Sequence, residues 1–245
     1  MSDPFTIDPM PSEIVKPDKR FMKLAHNEIL FKPPFTCCTL GAIGSGKTSF
    51  VYTLVNKLYK NYWDEVVVVC ATLDSKEAWE KVNQRSVLFL NAFDDTAVMD
   101  YVKEIEQEQL KRVEAGKNRL RVLMVLDDVV MEGFNKNRVG TLEKLIMTCR
   151  HYNITIVLAL QHSKQVSSAM RNQIFHWVIF RLTQNDLEKI ASEHSNLLRP
   201  DQFINMYNDV QKEGKHEFLI VDYKKNINDR FSHRFTKQIN IEDYR

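Results

Sequence analysis

Six stretches of the chain are apolar at nearly every position: residues 35–41 (FTCCTLG), 65–71 (EVVVVCA), 121–128 (RVLMVLDD), 153–160 (NITIVLAL), 174–182 (IFHWVIFRL) and 217–223 (EFLIVDY). Runs of that length without a polar alternation predict strands covered on both faces. Between them lie segments with helical spacing. Residues 49–59 place Phe50, Leu54, Val55 and Leu58 on one face, and residues 75–84, 95–115, 138–151, 185–194 and 200–209 read as further helices. Residues 86–90 read as a short strand or loop. This alternation predicts an α/β fold: a mostly parallel sheet covered by helices on both faces. No internal repeat or interior linker interrupts residues 35–223, so they are expected to form one domain. The proline-rich residues 1–34 read as an extended arm lying on the domain or on a neighbour, and residues 224–245 as a basic tail.

Composition narrows the class. Of the 245 residues, 44% are hydrophobic and 27% charged, which fits a globular chain with a sizeable core. A formal charge of +2 advertises no overall affinity for nucleic acid, so any such contact must come from local patches. Cys37, Cys38, Cys70 and Cys149 show no metal-ligand spacing and read as buried thiols of a reducing compartment. The amino-terminal residues have no apolar core of a signal peptide, and nothing approaches the ~20 apolar residues of a membrane span. The expectation is a soluble intracellular protein with no membrane partner.

The chemistry starts at GAIGSGKT. Gly41, Ala42, Ile43, Gly44, Ser45, Gly46, Lys47 and Thr48 match G-x-x-x-x-G-K-[ST] in full, between a predicted strand and a predicted helix. Glycines let backbone N–H groups turn inward around a phosphate, and the helix start, running on through Ser49, offers unpaired N–H groups and the positive end of its dipole. Lys47 can reach the β- and γ-phosphates, and the Thr48 hydroxyl can ligate Mg²⁺. The motif therefore implies a nucleoside triphosphate, read as ATP with Mg²⁺.

Hydrolysis needs an acidic site as well. VLMVLDD ends a strand with Asp127 and Asp128, at the carboxyl edge where ligands gather in open α/β sheets. Asp127 is placed to hold Mg²⁺ and Asp128 to orient and deprotonate the attacking water; the bland alternative is a pair of helix-capping residues. Gln161 ends the next strand. If that strand lies between the phosphate-loop strand and the acidic one, its amide projects towards the γ-phosphate.

GAIGSGKT, VLMVLDD and CRHYNITIVLALQ, in that order, resemble the FtsK–HerA superfamily of DNA-pumping ATPases. The double Asp and the RHYNITI run are most similar to the poxvirus-type genome-packaging ATPases of large DNA viruses and virophages. The resemblance covers residues 35–182. It implies a RecA-like core, a homo-oligomeric ring, and ATP-driven translocation of double-stranded DNA into a preformed capsid. Capsid proteins are then partners, and the host cytoplasm, a viral factory or the virion is the location. Many family members carry Glu where this chain has Asp128. The matching arginine of the run is Arg150, expected to act in trans on a neighbour's γ-phosphate, with Arg171 and Arg181 as runners-up.

Two other functions are compatible with the same residues: a cellular-type translocase or helicase, and a nucleotide-gated assembly scaffold. Candidate DNA contacts are Lys111, Arg112, Lys117, Arg119 and Arg121, then Lys136 and Arg138, then Lys224, Lys225, Arg230, His233, Arg234 and Lys237. Each cluster reads equally as a solvated face. Trp63, Trp79 and Trp177 read as core.

Overall fold

A computed structural model describes residues 18–70, 79, 87–91, 95–127 and 136–245; of these, the side chains of 87, 89–91, 95, 96 and 136–141 lie outside the description. The strands are β1 (Thr36–Leu40), β2 (Glu65–Cys70), β3 (Val87–Asn91), β4 (Val122–Asp127), β5 (Ile154–Leu160), β6 (His176–Ile179), β7 (Leu219–Asp222), β8 (Phe231–His233) and β9 (Lys237–Gln238). The helices are α1 (Lys47–Thr53), α2 (Asp95–Glu114), α3 (Lys136–Thr148), α4 (Ser168–Arg171), α5 (Gln184–His194) and α6 (Pro200–Lys212). A π-helical turn, Leu54–Leu58, prolongs α1. Among the described residues these strands form one sheet in the order β3-β2-β4-β5-β1-β6-β7-β8-β9.

The first six strands of that order are mutually parallel, as expected from the continuous apolar runs. Successive residues of these runs point to opposite faces and both faces are covered. Val67, Val69, Met124, Leu126, Ile156 and Leu158 join one core with residues of α2, α3, α5 and α6. Val66, Val68, Leu123, Val125 and Val157 join the other with α1, Trp79 and the arm residues Phe21, Leu30 and Phe31. Each buried Val or Leu contributes roughly 1.5–3 kcal/mol relative to exposure, so two full cores explain why the strands tolerate almost no polar residue.

Residues 18–34 lie on the domain, one of the two placements that the sequence left open, with Phe21, Leu30 and Phe31 in its core. Arg121 grips Asp18 with two hydrogen bonds (2.8 and 3.0 Å) and Asp64 with a third (3.3 Å), while Arg20 reaches Asp64 at 2.6 Å. Residues 1–17 lie outside the described residues. Residues 224–245 are built into the sheet: β7, β8 and β9 pair antiparallel, and Phe231, Ile239 and Ile241 are buried. The basic residues of this segment masked those three apolar anchors in the sequence. The predicted helix at 75–84 lies outside the described residues apart from Trp79, which is helical. All four cysteines are buried thiols. Among the described residues no helix is long and apolar enough to cross a membrane.

Candidate nucleotide site

Because β1, β4 and β5 are parallel and adjacent, their carboxyl ends bring residues 41–48, Asp127 and Gln161 to one edge. The strand carrying Gln161 does lie between the other two, the condition that the sequence left open. Gly41 N donates to Leu160 O at 3.1 Å, which joins the phosphate loop to the end of β5.

The loop's glycines have separate reasons. A Cβ on Gly41 would stand 2.7 Å from Phe180 Cβ, so no larger residue fits against β6. Gly46 has φ +109°, a left-handed conformation that L side chains rarely adopt, and it turns the chain into α1. Lys47, only 8% exposed, donates through Nζ to Gly41 O (2.7 Å) and Ala42 O (3.0 Å). Its ammonium is thereby held against the loop's own carbonyls.

Thr48 Oγ1 donates to Asp127 Oδ1 at 3.1 Å. Asp127 is buried, and its other oxygen accepts from Trp79 Nε1 at 3.2 Å. A hydroxyl and a carboxylate side by side are the hard oxygen donors that Mg²⁺ takes, so this pair fits the ion. Asp128 lies outside the described residues. Gln161 is half-buried, and its turn is fixed: Gln161 N and His162 N both donate to Gln165 Oε1 at 2.8 Å. Asp186 braces the same turn by accepting from His162 Nδ1 (2.9 Å) and Ser163 N (3.2 Å). Burial works to raise the Asp186 carboxyl, but those hydrogen bonds outweigh it and hold it below its ordinary value.

Arg150 stands elsewhere. It precedes β5, so it lies at the amino edge, roughly 20 Å from Gln161 along the seven-residue strand. Its guanidinium sits 4.7 Å from the centre of the Phe175 ring. It cannot meet the phosphate loop of its own subunit. Arg171 is committed to Val166 O (2.6 Å) and Glu193 Oε1 (2.9 Å). Arg181 follows β6 beside the loop, and its carbonyl accepts from Ala42 N at 2.8 Å.

Trp79, His216, Gln165 and Asp186 were missed in the sequence. The indole of Trp79 reads as core and is buried, yet its N–H serves the acidic site. His216 Nδ1 donates to Ser45 O at 3.1 Å from 171 residues away, and no local pattern announces such a contact. Several suggested DNA contacts are occupied within the fold. Arg121 holds the arm, Arg119 donates to His151 O at 2.5 Å, and His233 and Arg234 pair with Glu217. The side chains of Lys136 and Arg138 lie outside the described residues.

Residues 21–233 match the family model described as Poxvirus A32 protein. The chain belongs to that family. It is similar to "DNA packaging protein OPG160" of monkeypox virus, 23% identical over 203 residues that make up 81% of this chain and 65% of the relative. The vaccinia virus (strain Copenhagen) protein of the same name is also 23% identical, with 72% of its length covered. Among solved structures, B204, the DNA-packaging ATPase of Sulfolobus turreted icosahedral virus, superimposes with a TM-score of 0.58 at 15% identity, covering 86% of this chain and all of that one. The genome-packaging NTPase B204 of Sulfolobus turreted icosahedral virus 2, in complex with ATP-gammaS, superimposes with 0.54 at 14% identity, over 86% and 100% of the two chains. These structures share the fold of this chain: a P-loop core on a mostly parallel sheet.

Proposed function

We propose that this protein is an ATPase that drives double-stranded DNA into a preformed viral capsid, working as a homo-oligomeric ring. The observation that carries the reading is the convergence of Lys47, the Thr48–Asp127 pair and Gln161 on one sheet edge. It gains weight from membership of a family whose relatives are named DNA packaging proteins. The chain spans 65% of the monkeypox relative, so activity and partners are carried here as a proposal.

In this mechanism residues 41–49 cradle the triphosphate and Lys47 takes the charge of its β- and γ-oxygens. Thr48 and Asp127 hold Mg²⁺, which supplies charge neutralisation on those oxygens. Asp128 is the base that takes a proton from the attacking water, and Gln161 orients that water. Arg150 of a neighbouring subunit completes the site, so hydrolysis depends on ring assembly. Lys/Arg side chains contact DNA phosphates without reading sequence. Capsid proteins are the further partners, and the host cytoplasm or viral factory the place of action. The test is ATP turnover with and without duplex DNA, alongside the oligomer mass. Stimulation by duplex DNA in a ring-sized species is expected. DNA-independent turnover by a monomer would overturn the reading.

A further inference from the structure

A cavity of about 550 Å³ opens beside the phosphate loop, and neither Asp127 nor Gln161 is among its lining residues. Gly46 and Ser49 line it on the loop side. Its walls include Ile29 from the arm, Phe50 from α1, His216 from the loop after α6, and Phe235 between β8 and β9. Its size falls within the roughly 300–1,000 Å³ of small-molecule sites. Four separate segments of chain thus converge on a slot that abuts the last glycine of the loop.

We propose that this slot seats the nucleobase of the triphosphate, with His216 accepting a hydrogen bond from an exocyclic amino group. The proposal rests on the triphosphate reading above. Its geometry follows from the loop: phosphates held over Lys47 with the γ-end towards Asp127 and Gln161 leave the nucleoside to emerge at Gly46 and Ser49. An aromatic and aliphatic lining suits a flat heterocycle. Phe50 and Phe235 lie nearly parallel (13°, centroids 6.0 Å apart) and are backed by Phe218. His216 supplies polarity. Its Nδ1 donates to the Ser45 carbonyl, which in the neutral ring leaves Nε2 as an acceptor. A Cβ on Gly46 would come within 3.3 Å of His216 Nδ1, so the histidine is seated against the loop. The same ring therefore reports on both base and phosphate cradle.

The experiment compares binding of ATP, inosine triphosphate and inorganic tripolyphosphate, each with Mg²⁺, to the full chain. Inosine carries a carbonyl oxygen where adenosine carries its 6-amino group. Wild-type protein is expected to prefer ATP to inosine triphosphate by roughly three- to tenfold, the worth of one hydrogen bond, and His216→Ala to reduce that ratio to about one. The ratio is blind to any effect of His216 on the phosphates, which both ligands share. Ile29→Trp, which fills the slot from the arm, and Phe235→Leu are expected to weaken ATP at least about tenfold with tripolyphosphate affinity unchanged. Unchanged ATP affinity in both variants, or a base preference that survives His216→Ala, would overturn the slot. Failure of wild-type protein to bind either ATP or tripolyphosphate would instead overturn the triphosphate reading and the slot with it.

Discussion

The Thr48 hydroxyl and the Asp127 carboxylate, 79 residues apart in the chain, meet at 3.1 Å. Neither reaches the other through flexible length. Thr48 is fixed in the first turn of α1, Asp127 is the last residue of β4, and β5 holds the two strands in register: Leu40 opposite Leu160, and Asp127 opposite Ala159. The oxygen pair is therefore set by the sheet before any ligand arrives, and preorganised donors need little rearrangement on binding.

Lys47→Ala is expected to abolish ATP hydrolysis, since it removes the buried ammonium held against the loop carbonyls at 2.7 and 3.0 Å. Thr48→Ala is expected to weaken nucleotide binding only when Mg²⁺ is present. Isothermal titration with and without the ion reads the difference. Near wild-type turnover in Lys47→Ala would sink the phosphate-loop reading.

The two aspartates separate by role. Asp127→Asn is expected to impair Mg²⁺-dependent binding. Asp128→Asn is expected to bind ATP normally and to lose roughly 10²–10⁴-fold in turnover, the usual worth of a positioned base. Trp79→Phe keeps the ring in the core and removes only the N–H that steadies Asp127 Oδ2. Its expected signature is a weaker Mg²⁺ dependence with little loss of thermal stability. Equal, mild effects from Asp127→Asn and Asp128→Asn would demote both to capping residues.

The legible part of this chain is the part where chemistry is local. A strand buried on both faces must be apolar throughout, and a phosphate loop must be glycine-rich, so both can be read from a few consecutive residues. Gln161 was legible only as a condition on strand order, because position along the chain does not say which strands are neighbours. His216 and Trp79 reach the site across 171 and 48 residues respectively, with nothing beside them to mark the contact. The carboxyl-terminal strands were hidden for the opposite reason: Lys224, Lys225, Arg230 and Arg234 gave residues 224–245 a basic cast that outweighed three buried apolar residues.

Arg121 illustrates how ion pairing resolves an ambiguous cation. Burial works to raise the Asp18 carboxyl, but hydrogen bonds from Arg121 and Tyr62 outweigh it and hold the group well below the ordinary carboxylate range. Asp18→Asn is expected to cost about 1–2 kcal/mol for this partly exposed cluster, lowering Tm by roughly 2–8 °C. DNA affinity is expected to be unaltered. An unchanged Tm combined with weaker DNA binding in Arg121→Ala would return this arginine to the DNA surface.

Acid sensitivity has a source in His194. Burial first, and then the charge of Arg171, push its imidazole down from 6.5 to about 4. Its Nδ1 accepts from Tyr223 Oη at 2.6 Å and the ring packs 4.6 Å from that of Trp177. Between pH 6.5 and 4 the unfolded chain takes up a proton that the folded chain refuses. The stabilisation is therefore complete above about 6.5 and is lost as pH falls, by up to about 3 kcal/mol at pH 4. Buried His176, also shifted down, acts with the same sign. Denaturant titrations of His194→Gln are expected to show a shallower decline across that window than wild-type protein. An identical slope would assign the acid sensitivity to other groups.

The last prediction concerns Arg150. At the amino edge of the sheet it lies roughly 20 Å from its own Gln161, so it can act on a γ-phosphate only from another subunit. An arginine delivered in trans is worth roughly 10³–10⁵ in rate. The alternative is structural: the guanidinium rests on Phe175 at 4.7 Å, and that contact alone can explain the residue. Arg171 is a weaker competitor because Glu193 and Val166 already occupy it. Arg181 is a stronger one, being exposed on the same edge as the loop. Mixing separates them. Lys47→Ala subunits and Arg150→Ala subunits, each inactive alone, are expected to recover part of the activity in mixed rings, where some interfaces pair an intact loop with an intact arginine. Arg150→Lys, which retains the charge but not the planar fork, is expected to stay impaired. No recovery in rings shown by mass to be mixed, together with recovery when Arg181→Ala replaces Arg150→Ala, would move the role to Arg181. An active Arg150→Ala homo-oligomer would leave Arg150 as nothing more than the cover of Phe175.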